Sequence, residues 1–241
     1  IYATLPVYRF LVRSYPHLED MIEHRELEFG ETVAPCEEMP FHLTTFPAFH
    51  GQSAVGASML LFEHDERKIL FTGDLLAPML RKEDYASLMG VDLLVVDTNN
   101  RFPWPRTKHW SFAGSPEDPL IRSEILEAFA MELSWEKVSG PHVQEGISEK
   151  NRAYLSDLET VWNQREVPLT ILEFLERIDA NKVMLVHYSG AEDMKYSGEE
   201  ILTSRGLQDW ASETAEQAEF SGDILVPASG QRIQIDQDGK R

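Results

Sequence analysis

The chain has 241 residues, 42% of them hydrophobic, enough for a sizeable core in one large α/β domain or two small ones. Lys and Arg total 22 against 41 Asp and Glu, a formal net charge of −19. A field of that sign repels polyanions, so long nucleic acids and anionic membrane surfaces are excluded as first readings, while a local pocket for one small anion is not.

In chain order, a short apolar-periodic run around Val7, Phe10 and Leu11 comes first, then an acidic, weakly structured stretch from Glu19 to Glu38 with Gly30 as a turn. Leu43 to Phe46 is β-prone and leads into Phe46-Pro-Ala-Phe-His50-Gly51. Ala57 to Phe62 and Lys68 to Thr72 read as paired strands around a polar turn, His64 to Arg67, and the second ends at Gly73-Asp74. Val91 to Val96 is a buried-strand run ending at Asp97, and Asn99 to Pro116 reads as a long loop. Helical periodicity follows over 119–133, 148–164 and 170–178, with Pro168 as a break. Lys182 to Val186 is another buried strand and ends at His187. An amphipathic helix is expected over 199–218, then a closing hairpin of Ile224 to Pro227 with Ile233 to Ile235.

Three polar residues stand at the ends of apolar strands: His50, Asp74 and His187. Strand ends present side chains with fixed geometry. Imidazole nitrogen and carboxylate oxygen are the donors of a hydrolytic metal site, and a carboxylate can bridge two cations. Each residue alone also fits a structural turn; the ordered set carries more weight. The eight histidines stand at 17, 24, 42, 50, 64, 109, 142 and 187, and no two are separated by a single residue. His17, Asp20 and His24 read as a solvated charged patch. The single cysteine, Cys36, rules out an intramolecular disulfide framework and a Cys-x-x-Cys zinc site, and points to a reducing, cytoplasmic location. No apolar run reaches membrane-spanning length.

Pro-Ala-Phe-His50-Gly, the hairpin, Phe-Thr-Gly-Asp74, the strand to Asp97, the helices and Leu-Val-His187-Tyr-Ser together resemble the C-terminal two-thirds of the metallo-β-lactamase fold. The interval of 24 positions from His50 to Asp74 is similar to that family's His-to-bridging-Asp interval, and the His-Gly style is similar to its phosphodiesterase and tRNase Z branches. The 113 residues from Asp74 to His187 leave room for the helices the family inserts there. The resemblance implies a four-layer αββα sandwich, one domain over 1–241, in which His50 and His187 each hold one of two divalent metals and Asp74 bridges both. Zinc is the metal expected, with manganese or iron as alternatives. It further implies hydrolysis of a small phosphodiester or related ester by metal-bound hydroxide.

The family's His-x-His-x-Asp-His motif is not in this sequence, and Ile1-Tyr-Ala-Thr resembles the segment that follows it. The motif is expected upstream of Ile1; a partner polypeptide carrying it, or a metal-free relative acting as a scaffold, are the alternatives. A thioester or lactone hydrolase of the same fold is a further one. Asn99, Arg101, His109 and Ser189 are weaker candidates for substrate contact, Arg101 because guanidinium binds phosphate in a bidentate manner. The expected partner is a small molecule, with no long nucleic acid and no membrane, and homodimerisation is left open.

Overall fold

A computed structural model describes residues 1–35, 40–50, 56–98, 111–114, 119–120, 122–123, 126–127, 135, 147–187, 204–228 and 230–234. Its fold is α/β, as the sequence reading expects, and is built on a seven-stranded mixed sheet. In chain order the strands are β1 (Tyr2–Ala3), β2 (Arg25–Glu26), β3 (Thr32–Val33), β4 (His42–Pro47), β5 (Ser58–His64), β6 (Arg67–Phe71), β7 (Leu93–Asp97), β8 (Lys182–Val186) and β9 (Asp223–Leu225). The helices are α1 (Leu5–Ser14), α2 (Tyr85–Leu88), α3 (Glu149–Asn163), α4 (Ile171–Ile178) and α5 (Ser204–Gln217). The large sheet runs β3 to β9 in sequence order, and β1 pairs with β2 in a separate parallel sheet.

The β5–β6 hairpin forms where alternation demands it. Met59 and Leu61 are fully buried while their neighbours are half-exposed, and Asp65 and Glu66 at the tip adopt positive φ of 46° and 65°. Two consecutive left-handed residues match the twist of a two-residue hairpin. From β6 onward the pairing is parallel, β6 with β7, β7 with β8 and β8 with β9. Parallel strands need long crossovers and become buried on both faces. β7 is buried at four of its five positions, on both faces, whereas β8 alternates, with Val183 and Leu185 fully buried and Lys182, Met184 and Val186 half-buried.

The helices begin where capping residues stand. Ser148 Oγ accepts the Asn151 N–H at the start of α3, and Thr170 Oγ1 accepts the Glu173 N–H at the start of α4. Glu173 Oε2 in turn accepts the Leu169 N–H, one residue outside the usual capping box. Phe174, Leu175, Trp162 and Leu158 from these helices fill one core with Phe46, Met59 and Leu70.

Three local expectations need correction. The closing hairpin is absent among the described residues: β9 pairs in parallel with β8, and 230–234 are not in a strand. Beyond β9 the Val226 N–H is taken by Gln208 Oε1 of α5, and Pro227 has no N–H to offer a ladder. The acidic stretch from Glu19 carries two short strands, β2 and β3, each held by a neighbouring strand rather than by its own composition. His24 is not a solvated residue: its ring stacks on Tyr8 at 4.1 Å, and its Nε2 lies 2.9 Å from the Ala3 carbonyl. Of the expected helix over 119–133, Ser123, Leu126 and Glu127 are described and helical. No helix among the described residues is long and apolar enough to cross a membrane.

Candidate metal centre

Strand direction assembles the site. β4 runs antiparallel to β5, and β5 antiparallel to β6, so β4 points the same way as the parallel strands β6, β7 and β8. Their C-terminal ends therefore lie along one edge of the sheet. His50 follows β4, Asp74 follows β6, Asp97 closes β7 and His187 follows β8. Residues spread over more than half of the chain converge because four codirectional strands end there.

His187 Nδ1 lies 2.5 Å from Asp74 Oδ1, and His50 Nε2 lies 4.0 Å from Asp74 Oδ2. The two oxygens of one carboxylate thus face two different imidazoles. Asp97 Oδ1 is 3.9 Å from His187 Nδ1. Asp97 forms the floor of the site, with its side chain 4% exposed, whereas Asp74 and His187 line the mouth at 45% and 64%. One donor atom from each of Asp74, Asp97 and His187 falls within 4.8 Å of the others.

The segments carrying these side chains are tied to one another through the backbone. The Thr72 N–H donates to Val95 O at 3.0 Å, and the Asp97 N–H donates to Thr72 Oγ1 at 3.4 Å. The Thr72 hydroxyl itself donates to Gly73 O. The Thr98 N–H donates to Val186 O at 2.9 Å, which joins the ends of β7 and β8. The Leu76 N–H donates to Phe49 O at 2.7 Å and joins the His50 and Asp74 segments. Phe49 is buried against Trp135, which packs on Trp162 of α3, so the residue before His50 is anchored in the core.

Two backbone conformations direct the donors. Gly73 has φ of 61° with open space where a Cβ would stand, so the glycine serves the turn into Asp74 rather than a close approach. His187 also has φ of 61°, a left-handed conformation that costs a non-glycine residue about 1–3 kcal/mol. Strain at a strand end, on a residue that faces two carboxylates, fits a constrained site rather than a free turn.

The structure thus brings His50, Asp74 and His187 together. Asn99, Arg101, His109 and Ser189 lie outside the described residues. Asp97 is the functional candidate that sequence reasoning passed over; its signal was a carboxylate ending a continuously apolar strand, which reads equally as a turn residue. A cavity of about 900 Å³ lies at the opposite edge of the sheet, near Asp92, Lys182 and Asp223, where the parallel strands begin, and takes no part in this arrangement. Arg81 grips Asp84 through two hydrogen bonds of 2.9 and 3.1 Å, and Tyr154 donates to the same carboxylate at 2.7 Å. Burial first, and then Asp84, hold the Tyr154 phenol above its usual pKa.

No family model matches the sequence, and no curated protein matches it. Among solved structures, the chain is similar to the metallo-β-lactamase fold protein YhfI from Bacillus subtilis, at 10% identity and a TM-score of 0.42, over 91% of this chain and 61% of that one. It is similar to Zn²⁺-bound PqqB from Methylobacterium extorquens, at 12% and 0.46, over 94% and 62%. It is also similar to Igni18, a metallo hydrolase from Ignicoccus hospitalis, at 9% and 0.47, over 95% and 66%. The chain therefore spans less than two-thirds of the length of each of these proteins.

Proposed function

We propose that this chain carries part of the active site of a metal-dependent hydrolase that cleaves a small phosphodiester or related ester. The observation that supports this reading is Asp74, whose two oxygens face His187 at 2.5 Å and His50 at 4.0 Å. That is the donor pattern of a carboxylate shared between two cations, with one imidazole for each. The donor chemistry fits a transition metal, since nitrogen and carboxylate ligands stand on rigid strand ends. A buried hydroxyl next to the site, Thr98 Oγ1, has no hydrogen-bond partner among the described residues.

When bound, divalent cations supply a water acidified toward neutral pKa and positive charge for an anionic substrate. The chain's own residues fix where that chemistry happens. Asp74 and His187 stand at an open mouth that a substrate can reach, and Asp97 closes the floor. His50 and His187 would each offer one imidazole nitrogen to a cation. The charge of −19 disfavours a long polyanion and leaves a small substrate bound at the mouth.

The test is metal content together with hydrolysis by the intact purified protein. Stoichiometric transition metal and cleavage of bis-p-nitrophenyl phosphate are expected, and Asp74→Ala is expected to abolish both while melting near the wild-type temperature. Cleavage of thioesters alone would reassign the substrate class. A metal-free, inactive protein would leave the scaffold reading in its place.

A further inference from the structure

We propose that Asp97 is a second metal-binding carboxylate, so that Asp74, Asp97 and His187 form a one-cation site suited to an oxygen-preferring divalent ion such as manganese. This inference rests on the hydrolase reading, but it assigns a ligand that the bridging pattern of His50, Asp74 and His187 does not contain.

Asp97 has a side chain 4% exposed, and its carboxylate shares a small volume with that of Asp74. Donor atoms of the three residues lie within 4.8 Å of one another, so small side-chain rotations bring them to the roughly 3–3.5 Å that separates adjacent ligands about 2.0–2.2 Å from a shared ion.

Position agrees as well. The three donors come from the ends of three adjacent strands, β6, β7 and β8, so their spacing follows the regular separation of strands in a sheet. The Asp97 and Thr72 backbones are joined through Thr72 Oγ1, and Thr98 is joined to Val186, so none of the three can drift independently. Two carboxylates and one imidazole make an oxygen-rich donor set, and such sets suit manganese better than the softer ions.

The experiment is a titration of the intact protein with Mn²⁺ alone, followed by loss of the free-ion electron paramagnetic resonance signal, in wild type and in Asp97→Asn. The variant is expected to bind Mn²⁺ at least about tenfold more weakly, a loss at or beyond that of an outer-sphere partner. A second variant reports ligation directly. Asp97→Cys, in a Cys36→Ser background, is expected to show a thiolate-to-cobalt charge-transfer band when loaded with Co²⁺. A folded Asp97→Asn protein with wild-type Mn²⁺ affinity overturns the inference, as does a cobalt-loaded Asp97→Cys protein without that band. In either case the hydrolase reading survives if Asp74→Ala still loses metal. A wild-type protein that binds no divalent ion overturns both.

Discussion

Each oxygen of Asp74 faces a different histidine, and this makes its neighbours unequal. His187 sits 2.5 Å away and also approaches Asp97, whereas His50 stands 4.0 Å from the other oxygen. Loss of His50 should therefore empty one position and spare the other. We expect His50→Ala to lower hydrolysis at least about 100-fold while metal content falls by half rather than to zero. Elemental analysis of the purified variant checks this, and complete metal loss would mean that the two positions fill only together. At this scale the sequence carried much of the site. His50, Asp74 and His187 each follow an apolar run that breaks abruptly, and that pattern is visible without coordinates. Asp97 follows the same rule, but the Thr-Asn-Asn that comes after it makes a turn an equally good account.

At the scale of elements, a hydroxyl joins the ends of β6 and β7 beside the Thr72 N–H to Val95 O bond. Thr72 Oγ1 accepts from the Asp97 N–H and donates to Gly73 O, and the residue has no exposed surface. Thr72→Val keeps the shape and removes the hydroxyl. The expected cost is about 1 kcal/mol of stability, with metal affinity reduced up to about tenfold because Asp74 and Asp97 lose their common tie. Chemical denaturation and metal titration measure the two effects separately; a stability loss with unchanged affinity would make Thr72 purely structural. The elements themselves were largely legible. Ser148 and Thr170 start α3 and α4 where the periodicity begins, and the polar turn at Asp65-Glu66 closes the hairpin. The closing strands were misread because a short β-prone run does not specify its partner. Ile224 found β8 beside it, and α5 took the next N–H through Gln208.

For the whole molecule, a buried polar cluster links three distant parts of the chain. Tyr154 of α3 donates to Asp84, Arg81 pairs with Asp84 and lies over the Tyr154 ring at 4.1 Å, and Gly30 with φ of 77° packs against both Arg81 and Tyr154. Burial, then Asp84, raise the Tyr154 pKa, and burial raises that of Tyr85. The sign of the pH effect follows. Below the ordinary phenol value of about 10 the proton is bound in folded and unfolded chains alike, so stability is unaffected. Above it the unfolded chain releases the proton and the folded chain does not, so stability falls as pH rises. Urea denaturation between pH 8 and 11 should show this fall, made shallower by Tyr154→Phe, which also costs about 1 kcal/mol at neutral pH. An equal slope in the variant would assign the alkaline loss to other groups.

Local chemistry determined much of this protein before any fold was considered. Hydrophobic alternation placed the strands, and capping residues and turns bounded the helices. Those signals act over a few residues, which is why a sequence read in windows retains them. Tertiary structure alone decided that β4, β6, β7 and β8 point the same way, and hence that His50, Asp74, Asp97 and His187 share one edge. It also decided that Asp97 is buried and that His24 stacks on Tyr8 instead of standing in a solvated patch. Strand direction and burial arise from pairing between segments many residues apart, and no local propensity encodes which partner a strand will find.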